Sequence, residues 1–323
     1  MTFKSLIDDG LLQVAEQPRN NALDVDNLGD RKVLLFPIDH DYPGGSAAMH
    51  NAVFEHYELP FRSCFVIGDP ANVGAIVAAL KDDPTYQGGG AGSGFKDKIG
   101  PHLDRLDQSA QAIGSVNVVA RDADGALVGY NTDGIGFVNG LLEEYPGCIE
   151  GQKVVILGAG GTALPIAYEM AQKNPSEIVI CNRTVAKAER IAELIAPFCS
   201  ARGLGEDVIG DELSTAGVVV NTSNKGAQPN EAYSAFAAMT GDPDGDMENS
   251  KANLARLPAS AIVADILLEE KTTTLEMAKG AGNRTHQGTA MNLHQAVPAF
   301  KLITGITDKP DEVVMGLMKG ATA

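Results

Sequence analysis

Residues 158–163 read Gly158-Ala159-Gly160-Gly161-Thr162-Ala163, directly after the apolar run Lys153-Val154-Val155-Ile156-Leu157 and directly before an Ala-rich stretch. Between a strand and a helix, Gly158 permits a tight turn and Gly160 lets a pyrophosphate approach the backbone. Ala163 keeps the helix close to the strand. The N-terminus of that helix offers unpaired N–H groups and partial positive charge to phosphates. The plainer reading is a tight strand-to-helix turn. After the next apolar run come Asn182-Arg183-Thr184 and then Lys187. An NAD site places Asp or Glu there, about 20 residues on, for the adenine ribose hydroxyls. Two cations and a hydroxyl suit a 2′-phosphate instead, through charge-assisted hydrogen bonds. The expected cofactor is NADP. The rival reading of this segment is a solvated helix start with a Thr cap.

A second group of polar residues lies at the ends of apolar elements earlier in the chain. Asn117, in Gly114-Ser115-Val116-Asn117, could hydrogen-bond a polyol, or sit in a strand-end turn. Asp133, in Gly129-Tyr130-Asn131-Thr132-Asp133-Gly134, could pair with a lysine or cap the helix that follows. Both roles stay open for each.

The elements that must position these groups alternate between β-like runs and amphipathic stretches, the pattern of an α/β protein with parallel strands. Strands are expected at 32–36, 63–67, 116–120, 153–157, 177–182, 217–221 and 261–267. Met49, Val53, Phe54 and Tyr57 mark a helix between the first two. Asp122-Ala123-Asp124-Gly125 is a hairpin turn leading to Leu127-Val128. Glu144-Tyr145-Pro146-Gly147 reads as a domain break, and Gln228 to Ala252 as a long surface excursion. The expected boundaries are 1–145, 146–290 and 291–323, the last helices packing back on the first domain.

Composition narrows the function. The 323 residues are 44% hydrophobic and 21% charged, which suits two folded domains and excludes disorder as the main state. Asp plus Glu total 42 against 25 Lys plus Arg, a net charge of -17. Such a surface repels nucleic acid and anionic membranes, so neither is expected as a partner. No run reaches the roughly 18 apolar residues of a membrane span. The N-terminus acquires acids too early for a signal peptide. Cys64, Cys148, Cys181 and Cys199 lack any CxxC pair, and the six histidines have no metal spacing. Reduced thiols in the cytoplasm, and no metal, are expected.

In five blocks the chain resembles the shikimate dehydrogenase family, which includes the quinate/shikimate dehydrogenases. They are Ala112-Ile113-Gly114-Ser115-Val116-Asn117, Gly129 to Gly136, Gly158 to Gly161, Asn182-Arg183-Thr184, and Gln295-Ala296. The resemblance runs from about Pro37 to the C-terminal helix. It implies an N-terminal α/β substrate-binding domain and a Rossmann-type dinucleotide-binding domain, with the substrate in the cleft between them. It also implies hydride transfer between NADP and the ring alcohol of a small cyclic hydroxy acid, shikimate or its ketone 3-dehydroshikimate, in the shikimate pathway of aromatic amino acid biosynthesis. The family's catalytic lysine falls on Lys96 and its aspartate on Asp133, with Lys98 a nearby competitor. Ser46, Asn117 and Gln295 take the substrate-binding positions.

The chain departs from the family around the substrate carboxylate. Ser46 matches the second serine of a Ser-x-Ser-Pro stretch, but Gly44 replaces the first. A threonine and a proline expected before the lysine give way to Gly88-Gly89-Gly90-Ala91-Gly92-Ser93-Gly94, read as a flexible active-site loop with Ser93 a candidate replacement hydroxyl. Leu268 or a neighbour replaces a tyrosine after the Asp265 strand. These losses keep two alternatives open: a paralogue acting on quinate or another ring alcohol, and a catalytically silent NADP-binding regulator. Monomer and homodimer are both compatible with the sequence.

Overall fold

The computed structural model describes residues 2–267, 269 and 271–322. The chain forms two compact units, one of residues 2–132 with 293–322, the other of residues 133–292.

The first unit begins with α1 (Phe3–Asp8), β1 (Leu12–Val14), β2 (Lys32–Ile38), α2 (Ser46–His56) and β3 (Phe61–Gly68). It continues through α3 (Val73–Asp82), β4 (Tyr86–Gly90), β5 (Arg105–Leu106), α4 (Gln108–Ile113), β6 (Val118–Arg121) and β7 (Leu127–Tyr130). The seven strands make one sheet in the order β1-β3-β2-β4-β6-β7-β5. β2 runs parallel to β3 and β4, whereas β6 and β7 form the antiparallel hairpin around residues 122–125. Side chains alternate along β2. Val33 and Leu35 join one core with Ile76 and Leu80, while Leu34, Phe36 and Ile38 join another with Phe54 and Phe65. A sheet covered on both faces explains why residues 33–36 are apolar without interruption.

The outer side of β3 is closed by two devices. β1 pairs antiparallel with Val66 to Gly68. Further along, the Asn21 and Asn51 side chains act as pieces of strand. Asn21 Oδ1 accepts from Phe65 N–H at 2.6 Å, and Asn51 Oδ1 accepts from Ser63 N–H at 2.8 Å. An open strand edge invites pairing with other chains, and these contacts cover it.

The second unit comprises α5 (Asp133–Glu144), β8 (Lys153–Leu157), α6 (Ala163–Ala171), β9 (Glu177–Cys181), α7 (Val185–Ile195) and β10 (Ala201–Leu204). After them come α8 (Ile209–Leu213), β11 (Val218–Asn221), α9 (Pro243–Leu254), β12 (Ile262–Asp265), α10 (Thr273–Gly280) and β13 (Arg284–Gln287). Its six strands are all parallel, in the order β10-β9-β8-β11-β12-β13. This is the doubly wound order of dinucleotide-binding sheets. The direction of winding reverses between β8 and β11, and ligands bind outside the carboxyl ends of the strands there.

Two features differ from the sequence expectation. The division falls after Thr132 rather than after residue 145, because α5 belongs with the second unit. Gly134 lets α5 lie against α6, where a Cβ would run into the Pro165 carbonyl. At the other end of α5, Glu144 Oε2 meets His286 Nδ1 at 2.8 Å, and the Tyr145 hydroxyl donates to Thr285 O at 2.9 Å. Pro146-Gly147 is only the loop between α5 and β8. The supposed surface excursion is also more ordered than its Pro, Gly and Asp content suggests. It contains α9, and Phe236 within it is fully buried.

Two terminal helices follow, α11 (Met291–Thr304) and α12 (Asp311–Thr322), and from Leu293 onward they belong to the first unit. Phe300 and Ile303, with Val314 and Met318, enter the core that holds Phe54. Their three- and four-residue spacings put each pair on one helix face. A fully buried Phe of this kind contributes about 1.5–3 kcal/mol. No helix among the described residues is long and apolar enough to cross a membrane.

Candidate functional site

In the second unit, the end of β8 turns into α6 through Gly158 at φ +112°. A Cβ there would also stand 2.9 Å from Ser223 N, so both conformation and space require glycine. Gly160 and Gly161 are exposed, and among the described residues no protein acceptor takes the Gly160, Gly161 or Thr162 amide. Ala163 is fully buried as the first residue of α6. A cleft of about 450 Å³ opens over this turn. Gly158, Ala159, Gly160, Asn182, Arg183, Thr184 and Lys187 line one side.

Asn182 braces the site. Its Oδ1 accepts from Ala159 N–H at 3.0 Å and its Nδ2 donates to Thr184 O at 2.9 Å. Arg183 and Lys187 are exposed on the rim, without an ion pair among the described residues. Thr184 occupies the N-cap position of α7, but its side chain makes no capping bond. The simple helix-cap reading of this segment therefore fails. Backbone amides at a turn, two cations and a hydroxyl suit a dinucleotide carrying a 2′-phosphate.

The opposite wall was invisible to sequence reasoning. Thr222, Ser223, Asn224, Ile266 and Leu267, from the ends of β11 and β12, complete the lining. Thr222 Oγ1 donates to Gly158 O at 3.0 Å. Asn221 Oδ1 accepts from Ser223 N–H at 2.9 Å and from its hydroxyl at 2.7 Å. Asn221 Nδ2 in turn donates to the Asp265 carboxylate at 3.1 Å, which also accepts from the Thr272 hydroxyl at 2.8 Å. Burial pushes the Asp265 carboxyl up to about 6, although the Leu267, Asn221 and Thr272 donors pull it down. The one available signal was the position of these residues at strand ends beside the winding reversal.

In the first unit, three distant stretches converge. Asn117 Nδ2 donates to Gln295 Oε1 and to Thr132 Oγ1, each at 3.1 Å, and its Oδ1 accepts from Thr132 N–H at 2.8 Å. Next to Asn117, Val116 N–H donates to Lys96 O at 2.9 Å. Lys96, Asn117 and Gln295 are thus held in one neighbourhood. Lys96 is half-buried, whereas Lys98 is exposed. Ser46 is half-buried at the first turn of α2. Asp133 belongs to the second unit, buried as the first residue of α5, where the positive end of the helix favours a carboxylate.

The departures around Ser46 have physical causes. A Cβ on Gly44 would come within 2.7 Å of the Phe65 ring and 3.1 Å of the Tyr42 ring, so the missing serine has no room. Residues 88–90 are not a flexible loop but part of β4, paired with β2 and β6. Gly89 sits at φ +145°, and a Cβ there would overlap the Leu35 carbonyl. Close approach of the neighbouring strands demands glycine, which composition alone disguises as a loop. Ser93 lies by Asp39, whose N–H donates to Ser93 O at 3.2 Å and whose carboxylate His40, and then Ser93, hold below the usual range. Leu268 lies outside the described residues.

Family profiles and curated relatives match most of the chain. A family profile described as the shikimate dehydrogenase substrate binding domain matches residues 36–119, and one described as shikimate / quinate 5-dehydrogenase matches residues 141–223. The shikimate dehydrogenase (NADP(+)) of Alkaliphilus metalliredigens is 34% identical over 288 residues, 87% of this chain and 93% of its own. A shikimate 5-dehydrogenase of Listeria monocytogenes, solved with shikimate and NAD, superposes with a TM-score of 0.77 at 26% identity. That match covers 90% of this chain and 97% of the other. The ligand-free 5-ketofructose reductase of Gluconobacter sp. strain CHM43 superposes with a TM-score of 0.70 at 28% identity, covering 90% of this chain and 99% of its own.

Proposed function

The chain belongs to the shikimate dehydrogenase family, and on that premise we propose that it interconverts a cyclic hydroxy acid and its ketone, shikimate and 3-dehydroshikimate, with NADP. The observation that carries this reading is the convergence of Lys96, Asn117 and Gln295 in the first unit, the last two 178 residues apart in the chain. The nicotinamide, when bound, accepts or returns the hydride. The protein's own groups do the rest.

Lys96 passes a proton to and from the substrate oxygen, with Asp133 as its carboxylate partner. A positioned acid–base group of this kind contributes about 10²- to 10⁴-fold. Asn117 and Gln295 orient ring hydroxyls, each already fixed by the other. Ser46 holds the carboxylate from the start of α2. Gly158, Ala159, Gly160, Gly161, Thr162 and Ala163 form the pyrophosphate turn. Arg183, Thr184 and Lys187 meet the 2′-phosphate, and Asn182 holds the turn to their strand. The four separate thiols support a reducing, cytoplasmic setting.

The test is absorbance of reduced nicotinamide, with shikimate or quinate and with NADP or NAD in parallel. NADP reduction by shikimate supports the assignment. Turnover confined to quinate moves the substrate to the paralogue reading. NADP binding without turnover of either acid overturns the substrate assignment.

A further inference from the structure

Two hydroxyls expected near the substrate carboxylate are absent, one at Gly44 and one in the glycine-rich stretch before Lys96. Neither position can regain a side chain as the unit is packed. Phe65 fills the space at Gly44, and a Cβ on Gly92 would come within 2.5 Å of Ile38 Cγ2. A third hydroxyl lies between them. The Tyr42 ring packs edge-on to Phe65, with centroids 5.9 Å apart, and against Gly44. Its hydroxyl reaches the other gap, 3.7 Å from where a Cβ on Gly92 would stand. Gly92 O in turn accepts from Phe95 N–H at 3.1 Å and Lys96 N–H at 3.3 Å, at the base of the turn that carries Lys96.

Resting on the function proposed above, we propose that Tyr42 is a substrate-binding residue whose phenolic O–H donates to the substrate carboxylate beside Ser46. The ring is half-buried, and among the described residues its hydroxyl has no hydrogen-bond partner. A hydroxyl so placed is within reach of solvent and can donate to an incoming acceptor. Burial and the nearby Asp39 charge raise its pKa above the ordinary tyrosine value, which keeps it a donor at neutral pH. The Asp39 carboxylate is engaged by His40, at 2.7 Å, and by Ser93. Asp41 is turned to other work, accepting from the Glu16 and Gln17 N–H groups at 3.1 and 3.2 Å.

Tyr42→Phe removes the hydroxyl and keeps the ring against Phe65. With shikimate, the variant is expected to raise KM roughly tenfold or more, the loss of one hydrogen bond to a charged group. kcat and the KM for NADP should stay within about threefold. Shikimate methyl ester, which lacks the charge, should show a smaller difference between variant and wild type. A variant that matches wild type on shikimate, with wild type active, overturns the role of Tyr42 alone. An effect of equal size on acid and ester overturns carboxylate recognition. Wild type inactive on both shikimate and quinate overturns the proposed function, and this inference with it.

Discussion

In the first unit, Gly88 to Gly90 lie inside a sheet, hemmed in by β2 and β6. In the second, Gly158 to Gly161 form a turn whose last two members are not crowded by neighbouring backbone. The same residue type serves opposite needs. In β4 glycine is demanded by the protein itself, since neighbouring backbone occupies the volume of a side chain. At Gly160 a Cβ would meet nothing closer than Thr222 O at 3.5 Å, and at Gly161 nothing within 4 Å, so packing does not demand glycine there. The first cluster is a matter of stability and, on the proposed function, the second is one of binding, so substitutions should separate them.

The largest effect is expected at Gly89→Ala. Its Cβ would overlap the Leu35 carbonyl at a φ that L residues rarely adopt, a combination costing about 4 kcal/mol or more. Thermal unfolding should begin roughly 10 °C lower or more, or no folded protein should be recovered. A variant with wild-type melting would contradict the packing described for β4.

Next comes acid sensitivity, where the units again differ. His50 is fully buried beside the Phe36 and Phe54 rings, and burial drives its imidazole down to about 4 from an ordinary 6.5. Its folded value lies below its unfolded one. The unfolded chain therefore takes up the proton first, and stability complete above about 6.5 is lost as pH falls toward 4. The full loss is about 3 kcal/mol. Asp265 works the other way. Its carboxyl is raised to about 6 from 3.8, so its burial costs stability above that window and the cost disappears as pH falls through it. Denaturant unfolding at pH 5 and pH 7 should show His50→Leu flattening the acid loss, and Asp265→Asn removing the opposing gain. The same slope in all three proteins would contradict both assignments.

Binding effects should follow without loss of fold. Gly160→Ala places a Cβ against nothing closer than Thr222 O at 3.5 Å, so melting should be near wild type while the Kd for NADP rises roughly tenfold. Calorimetric titration reads the Kd, and a thermal scan the melting. A change of similar size is expected in cofactor choice. Arg183→Ala with Lys187→Ala should raise the KM for NADP roughly tenfold or more and leave that for NAD within about twofold. Equal loss toward both cofactors would place these cations elsewhere than at the 2′-phosphate.

The sequence revealed most of the second unit because β8, β9, β11 and β12 are buried on both faces and read as unbroken apolar runs. β13, with Arg284-Thr285-His286-Gln287, lies at the edge and carries no such signal. In the first unit β4 was hidden for a different reason. A glycine strand has no side chains whose alternation could reveal it. The turn at Gly158 and the cations near Arg183 were legible because their chemistry is local. By contrast, Ser223 reaches the cleft through Asn221 and Asp265, a relation set by strand order. Asn117 meets Gln295 only because α11 returns to the first unit, and Tyr42 gains meaning only from the space around Gly92.

The most direct test of the account is the rate of shikimate oxidation by Lys96→Ala, measured by nicotinamide absorbance beside wild type and Lys98→Ala. Melting curves for the three proteins should coincide. The account predicts a fall of about 10²- to 10⁴-fold in kcat for Lys96→Ala, with NADP binding intact and Lys98→Ala within about twofold of wild type. A Lys96→Ala protein that retains wild-type kcat would contradict it.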